Sequence, residues 1–113
     1  MHQDLSIINK TYQAYKSIVQ INHSLDRRWR YGVGVGLENT MQNLLEELIM
    51  AKSAPKPLKV SYLIRASAQQ ELASLKLRLY LELKLANETQ IFQAQAKLVE
   101  IGRMLGGWRK SLQ

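Results

Sequence analysis

The chain has 113 residues, 46% of them hydrophobic, with 16 Lys and Arg against nine Asp and Glu and a formal charge of +7. That length fits one domain, residues 1–113, around one modest core, and the apolar share argues against wholesale disorder. Cysteine is absent, which excludes disulfides, thiolate nucleophiles and thiolate metal sites, while the positive excess favours polyanions: RNA, DNA, an anionic membrane or an acidic protein.

The opening Met1-His2-Gln3-Asp4 has no basic stretch followed by a long apolar run, so no signal peptide is read there. No run of ~18 apolar residues occurs, so no bilayer span is expected. The expected location is the cytoplasm.

The first segment runs from about Asp4, a good N-cap, to about Leu25, with Leu5, Ile8, Tyr12, Tyr15 and Val19 at helical spacing. Asp26-Arg27-Arg28-Trp29-Arg30-Tyr31 and the glycines after it form a break. The second segment, from about Val33 to Lys52, carries Leu37, Met41, Leu44, Leu48 and Ala51 on one face. The only prolines, Pro55 and Pro57, mark the clearest break.

The third segment runs from about Leu58 to Ala86, and its expected core stripe is Leu72, Leu75, Leu79, Leu83 and Ala86. The alternation from Leu75 to Leu83 is strand-like, but Leu, Lys, Arg and Glu are strong helix formers and poor β residues. Asn87 with Gln90 three residues on resembles a capping box. The fourth segment, from about Glu88 to Leu112, carries Ile91, Ala94, Leu98, Ile101, Leu105, Trp108 and Leu112. Four such segments joined by short loops predict an all-α, antiparallel four-helix bundle.

The third helix is apolar on two sides. At ~100° per residue, Leu77, Leu81 and Leu85 fall opposite the Leu72–Leu83 stripe. A second apolar stripe left in water is costly, so these three are expected to meet another copy of the chain. The alternative is a central helix flanked on both sides within one chain.

Few residues suit catalysis. His2 and His23 have no second His or Cys at ligand spacing, and Glu46 and Glu47 are adjacent and point ~100° apart. Gly32-Val33-Gly34-Val35-Gly36 lacks the spacing of a phosphate loop and reads as a loop entering a weak first helical turn. Neither an enzyme nor a cofactor or metal is expected. The basic residues are better candidates for a site. Arg27, Arg28 and Arg30 cluster with Trp29 and Tyr31, a pairing that can hold phosphate and stack on an unpaired base. Arg65, Lys76, Arg78 and Lys84 lie along helix three. Arg103, Arg109 and Lys110, at the end of helix four, also complement its dipole.

The run Glu100-Ile101-Gly102-Arg103-Met104-Leu105-Gly106-Gly107-Trp108 resembles the closing signature of the accessory variability determinant (Avd) proteins of diversity-generating retroelements. The opening from Met1 to Tyr12 and the block Leu44-Leu45-Glu46-Glu47-Leu48-Ile49 are similar to that family as well. The chain is also similar to the related four-helix-bundle proteins encoded in intervening sequences of bacterial 23S rRNA genes. The resemblance implies a pentameric, ring-like assembly of bundles with a basic surface, and Lys76 matches a basic position of the family. It implies a non-catalytic subunit working beside a reverse transcriptase and its RNA in mutagenic complementary-DNA synthesis. Two alternatives stand beside it: a bundle of the intervening-sequence branch, and a docking ring for an acidic protein. Within the motif, Gly102 offers close approach to another helix, and Gly106-Gly107 lose ~2 kcal/mol of helix propensity that close packing or a kink must offset. Trp108 is expected to anchor the last turn in the core.

Overall fold

The computed structural model describes residues 2–113, with side chains from Leu5 onward. Its elements are α1 (His2–His23), α2 (Arg27–Trp29), a π-helical segment (Arg30–Gly34), α3 (Val35–Ser53), α4 (Lys56–Glu82) and α5 (Glu88–Ser111). The chain is α-helical almost throughout, with no strand among the described residues. Because α1 starts at His2, Asp4 falls within its first turn rather than at the cap.

Local chemistry accounts for the boundaries. Ala54 and Pro55 are extended, Pro57 sits in the first turn of α4, and Lys59 Nζ donates to the Ala51 and Lys52 carbonyls at the end of α3. α4 ends at Glu82, four residues before the expected Ala86. The Lys84 N–H reaches the Leu81 carbonyl and the Leu85 N–H reaches the Tyr80 carbonyl, with Lys84 at φ 55°. This is a Schellman closure in which lysine occupies the left-handed position that favours glycine. At the start of α5, Asn87 Oδ1 accepts from the Gln90 N–H at 3.0 Å.

The break expected at Asp26–Tyr31 and the glycines after it is confined to Ser24–Asp26, and from Arg27 onward the chain is helical. α2, the π-helical segment and α3 run on as one rod, and the Val35 N–H reaches back five residues to the Arg30 carbonyl. The glycine-rich stretch therefore spends its N–H groups within the helix and forms no phosphate loop.

α1, the rod ending in α3, α4 and α5 each run antiparallel to the next, and α1–α3, α3–α4, α4–α5 and α5–α1 contacts close a four-sided bundle measuring 44 × 22 × 19 Å between Cα extremes. The core takes Leu37, Met41, Leu44, Leu48 and Ala51 from α3, and Ile91, Ala94, Leu98, Ile101, Leu105 and Trp108 from α5. Both stripes are those expected from the spacing, except that Leu112 is only half-buried.

The other two stripes differ from expectation. α1 buries Ile7, Thr11, Ala14, Ile18, Ile21 and Asn22, while Leu5 and Tyr12 are exposed. The core face is thus rotated by about one residue, ~100°. Thr11 is admitted because its hydroxyl donates to the Ile7 carbonyl at 2.7 Å. On α4 the two faces exchange roles. Leu77 is fully buried with Leu63, Ala66, Ala73 and Tyr80, and Leu81 and Leu85 pack partly against the same core. Leu77 therefore cannot meet another copy. The outer face is Leu72, Leu75, Leu79 and Leu83, 39% to 59% exposed. The residues expected inside lie outside because α4 meets α3 and α5 through its alanine-containing side, where small residues let helices approach.

Candidate nucleic-acid interface

The π-helical segment sits at one end of the bundle, the end where α1 and α4 finish. Its altered backbone presents carbonyls that neighbouring helices satisfy. Buried Asn22 Nδ2 donates to the Gly34 carbonyl at 2.9 Å and to Glu38 Oε2 at 2.8 Å. The Tyr80 hydroxyl donates to Asn22 Oδ1 at 2.6 Å, and the Val33 carbonyl lies 3.5 Å from it. Lys76 Nζ donates to the Gly36 carbonyl at 3.2 Å and to Thr40 Oγ1 at 2.8 Å. Gly34 lets α1 come this close, since a Cβ there would lie 3.3 Å from Leu25 Cδ1 and 3.4 Å from Asn22 Cγ. Burial, and then the Glu38 carboxylate, push the Tyr80 phenol above its ordinary range, so it stays a neutral donor.

This network fixes the turn that carries the arginines. Arg27 lies over the Tyr31 ring at 5.9 Å and Arg28 over the Trp29 ring at 5.3 Å, with both arginines and Tyr31 exposed. Trp29 is half-buried against the core, so Tyr31 is the freer stacking surface. Arg30 plays a structural part, since its guanidinium donates to the His23 and Leu25 carbonyls and closes the end of α1.

The remaining expected cations do not gather at one place. Lys76 points inward, as above. Arg78 pairs with Glu82 at 3.0 Å, and Arg65 faces Glu47 at 3.9 Å while lying over the Tyr62 ring. Lys84 is exposed at the end of α4, beside the Arg27–Tyr31 turn in the topology. Arg27, Arg28 and Lys84 are thus the expected binding residues left with neither a carboxylate partner nor a side-chain hydrogen bond among the described residues, whereas Arg30 and Lys76 are held by carbonyl and hydroxyl oxygens.

At the opposite end, sequence reasoning gave Arg109 and Lys110 a helix-dipole role and missed their grouping with Lys52 and Lys56. There Lys52, Lys56, Arg109 and Lys110 are exposed and in no ion pair among the described residues. They come from the α3–α4 loop and the last turn of α5, separate stretches that only the antiparallel packing brings to one end. Arg109 and Lys110, with Gly106 and Gln113, also line an open cleft of about 320 Å³. Arg103, nearly two turns before Arg109, is paired with Glu100 at 3.4 Å.

The tail motif divides physically. Gly102 is closely approached: a Cβ there would lie 3.0 Å from Gln70 Nε2, and that amide donates to the Leu98 carbonyl at 2.8 Å, so Gln70 would have to give way. Gly106 and Gly107 have nothing within 4 Å of a built Cβ and lie in an unbroken helix. Neither the expected close packing nor a kink compensates them within the chain. Trp108 is buried, at 6% exposure.

The exposed α4 leucines adjoin a groove of about 420 Å³ lined by Gly32, Val33, Gly36, Lys76 and Leu79. No group of three or more His, Asp or Glu side chains suited to a metal occurs among the described residues, and no described helix is long and apolar enough to cross a membrane. No protein-family model matches the chain, and no curated protein matches it.

Proposed function

We propose that this chain is a non-catalytic, nucleic-acid-binding accessory subunit of a diversity-generating retroelement. In this reading it acts in the cytoplasm beside the reverse transcriptase and its template RNA. The observation that carries the reading is the Arg27–Tyr31 turn: two unpaired guanidinium groups and an exposed aromatic ring, held on a fixed helical end. Guanidinium groups contact phosphate, and the ring offers a stacking platform for an unpaired base without reading its edge. The tail run from Glu100 to Trp108 supports the family assignment by resemblance.

The reading includes assembly into a ring-like homo-oligomer, a pentamer by the same resemblance. Its support in the fold is the outer α4 face, Leu72, Leu75, Leu79 and Leu83, with its adjoining groove. Such a contiguous apolar face is of the kind that marks an association surface.

The test is binding of single-stranded RNA and DNA across a salt series. Affinity falls linearly on logarithmic axes with rising salt. Arg27→Gln with Arg28→Gln lowers affinity and reduces the slope by about 1.4, at ~0.7 per lost phosphate contact on a single strand. Parent-like affinity and slope in that variant would show the turn to be no contact site.

A further inference from the structure

We propose that the opposite end of the bundle, presenting Lys52, Lys56, Arg109 and Lys110, is a second polyanion contact, so that one bundle bridges two separate segments of single-stranded nucleic acid. The inference rests on the polyanion chemistry proposed above, but concerns another surface and a further activity.

On the flanks, Arg65, Arg78 and Arg103 each face a carboxylate, and Lys76 is turned inward. Lys10, Lys16 and Lys97 are spread singly along α1 and α5. The unpaired basic groups that cluster do so at the two ends: Arg27, Arg28 and Lys84 at one, Lys52, Lys56, Arg109 and Lys110 at the other. Carboxylates temper the first end, where Asp26 and Glu88 are exposed. At the second end the neighbouring Glu100 is already engaged by Arg103; the Asp4 side chain lies outside the described residues.

Separation makes the two clusters independent. The long axis is 44 Å, about five times the screening length of ~8 Å at physiological salt. Each end therefore attracts its own phosphates, and a phosphate bound at one end adds little field at the other. A short strand held at one end leaves the other cluster unneutralised and available to a second strand. Lys59, also at the second end, is excluded from the set because its ammonium closes α3.

The experiment mixes donor-labelled and acceptor-labelled single-stranded RNA oligonucleotides, each shorter than the bundle, and reads energy transfer on adding the full chain in its native assembly. The parent is expected to produce transfer. Lys52→Gln, Lys56→Gln, Arg109→Gln and Lys110→Gln combined is expected to retain binding of one RNA through the Arg27–Tyr31 end and to lose the transfer. Arg27→Gln with Arg28→Gln is expected to lose it from the other side. Neutral replacements avoid placing acids at helix C-termini, and unchanged far-ultraviolet dichroism verifies the fold. Transfer undiminished from the parent's, with an unchanged number of RNA strands bound per chain, in the quadruple variant overturns the proposal. Failure of the parent to bind either RNA at low salt is a different result, which removes the proposed function itself.

Discussion

The Tyr80 hydroxyl donates to Asn22 Oδ1 at 2.6 Å, joining α4 to α1, the helices that face each other across the diagonal of the bundle rather than side by side. Asn22 then hands the connection on to Gly34 and Glu38. One asparagine thus ties three helical stretches and the π-helical segment together at the end that carries the arginines. Tyr80→Phe leaves Asn22 Oδ1 buried without its donor and is expected to lower stability by about 2 kcal/mol. Urea unfolding measures it.

The same phenol has a pH signature. Its ordinary pKa is 10.0, and burial and then Glu38 raise it in the folded chain. The unfolded chain therefore releases this proton first. The stabilisation is complete below pH 10 and declines as pH rises above it. The parent's advantage over Tyr80→Phe should narrow as pH rises from about 10 to about 12. A difference constant across that range would contradict the burial of a neutral phenol.

The tail glycines predict opposite signs within one motif. Gly106→Ala and Gly107→Ala each add helix propensity where no atom lies within 4 Å, so each is expected to stabilise the isolated chain by about 1 kcal/mol. Gly102→Ala places a methyl 3.0 Å from Gln70 Nε2 and strains its bond to the Leu98 carbonyl; it is expected to destabilise. Thermal unfolding of the three single variants separates the signs.

Lys84 occupies a left-handed position at φ 55°. Lys84→Gly removes that strain and is expected to raise stability by about 1 kcal/mol while the Schellman hydrogen bonds remain. Its melting temperature, compared with Lys84→Ala, reports the effect, because alanine keeps the strain and glycine does not.

The outer face of α4 is testable by mass. Leu75→Glu with Leu79→Glu changes two residues that are 59% and 39% exposed. Helicity and unfolding should stay near the parent's, while any self-association through this face is lost. Light scattering decides it. Leu77→Glu serves as the contrast, since that residue is fully buried and the substitution is expected to unfold the chain.

Legibility in the sequence differed helix by helix, for identifiable reasons. α3 and α5 have one apolar side each, so Leu37–Ala51 and Ile91–Trp108 revealed their inward faces. α4 is apolar on both sides, and periodicity alone has no means of choosing between them. Its core side is lined partly by Ala66, Ala73 and Tyr80, which look less hydrophobic than the leucines they displace outward. α1 hid its inward face behind Thr11 and Asn22, whose burial depends on hydrogen-bond partners formed only in the folded chain. At the candidate interface, Arg27, Arg28 and Tyr31 were readable as a local cluster. The inward turn of Lys76 was not, because its acceptors on Gly36 and Thr40 lie far off in sequence. Nor was the grouping of Lys52 and Lys56 with Arg109 and Lys110.

The wide turn at Arg30–Gly34 holds its hydrogen bonds five residues apart instead of four. The rod from Arg27 to Ser53 therefore contains slack: about one more residue than an α-helix of equal height requires. Taking that residue out would leave the Leu37–Ala51 seam seated where it is and swing the arginine-bearing tip by ~100°. The orientation of the tip is thus a quantity that chain length alone can reset, independently of every side chain in the interior.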